Sequence, residues 1–278
     1  MHLQPTLLIT CNNCNQSLQE IIMAQLGQLL TVQGFEEQPN TLLVYLPQHE
    51  NEPETVELIM NEVHPNYTME VLAPQNYNAL WESNFEPVIV ENFCGIRANF
   101  HTPITNVLHE IIITPKMSFG TGHHATTYQV ISAMQSLQFN NKLVCDFGTG
   151  TGVLAILASK LGAANIHAID NEEWSIANAQ ENILVNNCTN ITLQLTETIP
   201  ANTYDIILAN INKNVLIANM QHLYTNCAAK GIIILSGVLL TDKDDMLTAL
   251  TQHGFDVTNI TEKNNWLCIT ANKQQIET

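Results

Sequence analysis

The spacing of apolar residues switches between an alternating period and a helical one several times along the chain, and each switch marks an element. Residues 5–10 alternate as a strand does. Ser17 stands where it can cap the apolar-periodic stretch from Leu18 to Leu30, which reads as a helix ended by Gly34. Phe35 to Glu37 and Thr41 to Leu46, on either side of Pro39-Asn40, predict a hairpin. Glu52 to Val63, with Met60 and Val63 on its apolar side, predicts a second helix, and Tyr67 to Leu72 a closing strand. The order β-α-β-β-α-β is that of a ferredoxin-like split unit, so residues 1–73 are expected to form a small α+β domain.

Over residues 74–90 the pattern fades into the polar run Gln75 to Asn78 and the aromatics Trp81 and Phe85, which reads as a linker. After Leu108 to Ile113 the periods alternate. Leu143 to Asp146, Ile166 to Asp170, Ile191 to Leu195, Tyr204 to Ala209 and Gly231 to Leu235 read as strands. Between them Val153 to Leu161, Glu172 to Asn186, Val215 to Cys227 and Asp242 to His253 read as helices. Such alternation buries a parallel sheet between two helical layers, so residues 91–278 are expected to be an α/β domain with a Rossmann-like sheet. The last two strands, Phe255 to Ile260 and Trp266 to Thr270, are joined by a turn too short for a crossover and should pair antiparallel.

Hydrophobic residues make up 45% and charged residues 13% of the chain, so this is a globular composition whose surface is solvated largely by Asn, Gln and Thr. Lys and Arg number 9 against 26 Asp and Glu, a formal charge of -17. That field repels phosphate backbones and attracts basic partners, which disfavours a nucleic-acid substrate and favours a basic protein. The seven cysteines are scattered, several in apolar runs, which suggests reduced thiols and a cytoplasmic setting. Cys11 and Cys14 have no second pair at zinc-site spacing. No apolar run approaches the ~18 residues that span a bilayer, so no membrane attachment is expected.

The strongest chemical signal is Val144-Cys145-Asp146-Phe147-Gly148-Thr149-Gly150-Thr151-Gly152, a strand running into a glycine turn and then a helix. Glycines let backbone approach a ligand where a Cβ would collide, and the helix start offers N–H groups. Val153 stands where the dinucleotide fingerprint has its third glycine. Asp146 adds a negative charge, unsuited to a pyrophosphate and suited to an ammonium. Alone, the turn reads equally as a cofactor loop or a tight turn. Asp170 closes the next strand about twenty residues on, where a carboxylate either reaches ribose hydroxyls or caps its own helix. Together the two acids favour a nucleoside with a cationic amino-acid tail, which describes S-adenosylmethionine. Trp174 packs either near the adenine or in the core.

A third strand ends in Ala209-Asn210-Ile211-Asn212, amides in place of charges; Asn210 either aligns an amine nucleophile or caps the strand end. Upstream, Thr114 to Thr127 is glycine- and threonine-rich and leads into a helix, as site-lining loops do. His123 and His124 lie within it without a third ligand at metal spacing, so no metal is expected.

With these residues assembled, the chain resembles the PrmA-type lysine methyltransferases, which modify ribosomal protein eleven of the large subunit. The likeness runs from about Tyr77 to Thr270. Its most specific part is Phe119-Gly120-Thr121-Gly122 with Thr126-Thr127, ahead of Asp146 to Gly152, Asp170 and Ala209-Asn210-Ile211. The resemblance implies a class I methyltransferase domain behind a substrate-recognition domain. It further implies S-adenosylmethionine as cofactor and a basic ribosomal protein as partner; a monomer is expected. Cofactor contacts carried over fall on Thr127, Gly148, Asp170 and Asn210, with Asn210 aligning the acceptor and Phe119, Gly120 and Thr121 covering the cofactor. Two departures touch the acceptor channel: His123-His124-Ala125 replaces the family's Thr-His-Pro, and the proline expected after Asn210 is absent from Asn212 to Val215. A methyltransferase for small molecules or nucleic acid, and a non-catalytic scaffold of the same fold, are the alternatives. The separate N-terminal domain and the acidic charge weigh against the first, and the intact glycines and Asp170 against the second.

Overall fold

The structure, a computed structural model, describes residues 5–32, 34–72, 86–114, 120 and 122–274. The chain divides into two compact units, Met1–Phe85 and Glu86–Thr278.

In the first unit, strands β1 (Thr6–Asn12), β2 (Gly34–Gln38), β3 (Thr41–Pro47) and β4 (Tyr67–Leu72) form an antiparallel sheet in the order β2-β3-β1-β4. Helices α1 (Gln16–Leu29) and α2 (Pro53–Val63) complete the element order read from the sequence. Asn15, not Ser17, caps α1: its Oδ1 accepts from Leu18 N at 3.0 Å. The helix stops at Leu29, and Gly34 opens β2 instead of ending α1. Leu7, Ile9 and Cys11 of β1 and Leu42, Val44 and Leu46 of β3 alternate into a core with Ile22, Leu26, Val56 and Met60 from the helices.

The second unit begins with β5 (Val88–Val90), β6 (Cys94–Ala98) and β7 (His109–Ile113), a three-stranded sheet in that order. The linker expected over residues 74–90 therefore ends sooner, since Val88 pairs with Ile96 and Val90 with Cys94. A strand of three residues is too short for its period to stand out. Within β6, Arg97 is buried because Glu110 of β7 receives its Nε at 2.8 Å and its Nη2 at 3.1 Å. Trp81 and Phe85 lie outside the described residues.

The main sheet has seven strands: β8 (Leu143–Phe147), β9 (Asn165–Asp170), β10 (Ile191–Leu195), β11 (Tyr204–Asn210), β12 (Cys227–Leu239), β13 (Phe255–Lys263) and β14 (Trp266–Lys273). Their order is β10-β9-β8-β11-β12-β14-β13, parallel throughout except for β14, which runs antiparallel to both its neighbours. The helices are α3 (Ala125–Met134), α4 (Val153–Lys160), α5 (Glu173–Val185), α6 (Lys213–Ala218), α7 (Met220–Asn226) and α8 (Lys243–Gln252). The single helix expected from Val215 to Cys227 is two, parted at Asn219, whose φ of -100° and ψ of 5° leave the helical region. Cys227 already belongs to β12, which is longer than the expected 231–235. Val153 to Ala158 are all buried, so α4 is enclosed by protein on every side. The chain builds outward from β8 in one direction and from β11 in the other, which opens a crevice between their carboxyl ends.

Candidate active site

At that crevice β8 ends in Gly148, and Gly148, Gly150 and Gly152 take φ values of +77°, +53° and +82°. These are left-handed conformations that only glycine adopts without strain. A Cβ on Gly148 would run into the Ile211 side chain, which follows β11 on the other side of the switch point. Gly152 caps α4 and backs onto Ala179 of α5, so it seats the helix and does not line the cleft.

The two carboxylates play different parts. The sequence gives Asp146 an ammonium to meet, but the structure buries it completely behind the turn. Its Oδ2 accepts from Thr149 Oγ1 at 2.6 Å and from Ala155 N at 3.1 Å, tying the turn to the first residues of α4. Its Oδ1 is buried with no hydrogen-bond partner. Burial pushes the Asp146 carboxyl up to about 7 against those two bonds, and the charge of Asp170 adds to the rise. Asp170 sits at the end of β9 on the cleft wall. Its Oδ2 accepts from Gly150 N at 2.9 Å and its Oδ1 from Glu172 N at 3.1 Å, so it both fixes the middle glycine and begins the turn into α5.

Asn210 closes β11 and is 8% exposed. Its Nδ2 donates to Thr127 Oγ1 at 3.3 Å, and its buried Oδ1 has no partner among the described residues. Thr127, in the first turn of α3, is fully buried. Gly120, Thr127, Gly148 and Asn210 converge on one small recess. Of the expected cover, Gly120 is therefore beside the glycine turn, with its carbonyl accepting from Thr151 Oγ1 at 2.7 Å. Phe119 and Thr121 lie outside the described residues.

Two cavities meet at Gly148 and Asp170. One of about 540 Å³ extends over Asn171, Thr196 and Glu197, and the other, of about 380 Å³, over His124, Trp174, Asn210 and Trp266. Both volumes lie in the range of small-molecule sites. Trp174 is 50% exposed, with its indole N–H given to Glu172 at 3.1 Å, so it lines the cleft and not the core. His124 caps α3 by accepting from Thr126 N and packs edge-on to Trp266, ring centroids 4.9 Å apart. Sequence reasoning missed Trp266, Gly237 and the residues after β10. Their approach depends on strand order, and only the last strand's aromatic start signalled it.

An open sheet ending in an antiparallel pair, with a glycine turn and a strand-end carboxylate at its switch point, is the class I methyltransferase fold. A family model described as ribosomal protein L11 methyltransferase (PrmA) matches residues 14–274. The chain is 34% identical to the ribosomal protein L11 methyltransferase of Phocaeicola vulgatus, over 94% of this chain and 95% of that protein. It is 37% identical to that of Chlorobaculum parvum, over 91% and 92%. The crystal structure of ribosomal protein L11 methylase from Lactobacillus delbrueckii subsp. bulgaricus aligns with a TM-score of 0.64 at 25% identity, covering 69% of this chain and 100% of that one. The chain belongs to the ribosomal protein L11 methyltransferase family; it is a methyltransferase, and S-adenosylmethionine is its methyl donor. Bare backbone at Gly148, an unpartnered acceptor at Asn210 and a carboxylate at Asp170 fit that donor.

Proposed function

We propose that this protein transfers methyl groups from S-adenosylmethionine to lysine and N-terminal amines of ribosomal protein L11, the substrate named for its relatives. The observation that carries the reading is the Asn210 Oδ1, a buried acceptor without a partner at a strand end that opens on the cleft. Such an atom is costly to leave unpaired, and an amine N–H satisfies it.

The donor supplies an electrophilic methyl on a sulfonium. Gly148 and Gly150 would admit it without a side chain in the way, and Asp170, which holds Gly150 N, would accept from its ribose hydroxyls. Asp146 braces the turn from behind. Asn210, steadied by Thr127, aligns the incoming amine so that attack is in line. A lysine with a pKa of ~10.4 must shed its proton first, and desolvation in the cleft favours the neutral amine. Residues 1–85 hold ten glutamates and neither lysine nor arginine, which supports a basic protein as the partner of the N-terminal domain. The described residues that line the two cavities all come from one unit of one chain, which supports a monomeric enzyme. Among the described residues no helix is long and apolar enough to cross a membrane, and we place the protein in the cytoplasm with its ribosomal substrate.

The test is to incubate the purified protein with L11 and S-adenosylmethionine and weigh the intact L11. Whole methyl increments that map to lysine or the N-terminal amine are expected, and an unchanged mass would overturn the assignment of substrate. An Asn210→Ala variant should methylate far more slowly; full activity in that variant would remove Asn210 from the account.

A further inference from the structure

β7 is the edge of its sheet, paired on one side with β6. In a parallel pair alternate residues turn their N–H and C=O groups away from the partner, and toward the end of β7 these belong to Ile112 and, just past its end, Thr114. Among the described residues no strand meets them. A row of asparagines on α5 does so instead. Asn186 Oδ1 accepts from Ile112 N at 3.0 Å while its Nδ2 donates to Ile112 O at 2.6 Å. One turn earlier, Asn182 Oδ1 accepts from Thr114 N at 2.7 Å, and Asn178 Nδ2 donates to Thr114 O at 3.1 Å. The match is geometric, because four helical residues rise about 6 Å and two strand residues about 6.6 Å.

Asn182 breaks the pattern set by Asn186. Its Nδ2 passes over Thr114 O and donates to Thr151 O, inside the glycine turn, at 2.8 Å. Thr151 Oγ1 in turn donates to Gly120 O at 2.7 Å. The consequence falls on Asn178, which serves Thr114 O alone and keeps a buried Oδ1 without a partner. Asn178, Asn182 and Thr151 are all fully buried, and the bond from Asn182 Nδ2 to Thr151 O lies wholly within the protein. Thr114, at the head of the glycine- and threonine-rich segment, and Gly120 within it are thus fastened to Asn182 and to Thr151 respectively.

We propose that Asn182 is a positioning residue for cofactor binding: one amide ties the glycine turn at Thr151 to Thr114 in a single register, and Thr151 in turn holds Gly120. The proposal rests on the assignment of S-adenosylmethionine as donor. Asn186 provides the control, since it makes two bonds to the same strand and none to the turn.

Calorimetric titration with S-adenosylmethionine, alongside thermal melting, separates the two. Asn182→Leu should weaken binding by at least about tenfold, the equivalent of one lost buried hydrogen bond. Asn186→Leu should lower the melting temperature comparably yet bind within about twofold of wild type, because the turn is untouched. Asn182→Asp keeps the acceptor for Thr114 N and loses the donor to Thr151, so it is read in the same way should the leucine variant fail to fold. Equal weakening in the Asn182 and Asn186 variants, or unweakened binding in Asn182→Leu, would overturn the positioning role. Wild-type protein that takes up no cofactor would overturn both this role and the assignment beneath it.

Discussion

The two units handle charge in opposite ways. All nine lysines and arginines lie beyond residue 85, and among the described residues three of them are ion-paired: Arg97 with Glu110, Lys142 with Asp205, and Lys213 with both Asp242 and Asp245. The first unit has ten glutamates and no lysine or arginine to answer them. Glu52, Glu54, Glu57 and Glu62, on and beside α2, are exposed. Unbalanced charge of one sign does not stabilise a fold; it raises solubility and steers partners of the opposite sign. The second unit spends its polar groups inward, on the turn, the edge of β7 and the cleft, while the first keeps its charges facing out.

That contrast predicts variants of separable effect. The largest is Gly148→Ala. A side chain at a φ of +77° facing Ile211 combines backbone strain with overpacking, roughly 3 kcal/mol together, so cofactor binding should fall on the order of 100-fold at any salt concentration. Calorimetry measures it, and near-normal binding would break the claim that bare backbone makes the site. Neutralising Glu54, Glu57 and Glu62 to Gln should act on the other unit alone. The KM for L11 should rise several-fold at low salt, cofactor affinity should not change, and added salt should shrink the difference between variant and wild type. A shift in cofactor affinity instead would erase the division between the units.

The smallest effect is a pH dependence. The folded-state pKa of Asp146, about 7, lies above its ordinary 3.8, so the protonated carboxyl favours the fold. Its contribution is complete below about pH 4 and fades as pH rises through about 7, where the ionised form is buried with one oxygen unpartnered. Asp146→Asn should flatten that slope in melting temperature between acid and neutral pH. An unchanged slope would place the titration elsewhere.

The place of the glycine turn, Asp170 and Asn210 at the crevice was legible because each closes a strand, and strand ends in an alternating β/α chain fall on one edge of the sheet. The place of Asp146 beside the turn was legible but the direction of its carboxylate was not, because Thr149 and the N–H of Ala155 draw it behind the turn. The asparagines of α5 were invisible. An amide every fourth residue on a helix reads as a solvated stripe, and the backbone that it serves at Ile112 lies 74 residues away in sequence. Asn219 hid its break for a similar reason, because apolar positions on both sides keep the helical period. Strand β5 is three residues long, shorter than the window in which any period declares itself.

The most direct measurement is a crystal structure with S-adenosylhomocysteine bound. The ribose hydroxyls should lie within hydrogen-bond distance of Asp170, the amino-acid end should rest against Gly148, and the sulfur should face the Asn210 side of the cleft. A ligand seated away from the crevice between β8 and β11, or an Asp170 that contacts only its own backbone partners in the complex, would contradict the account.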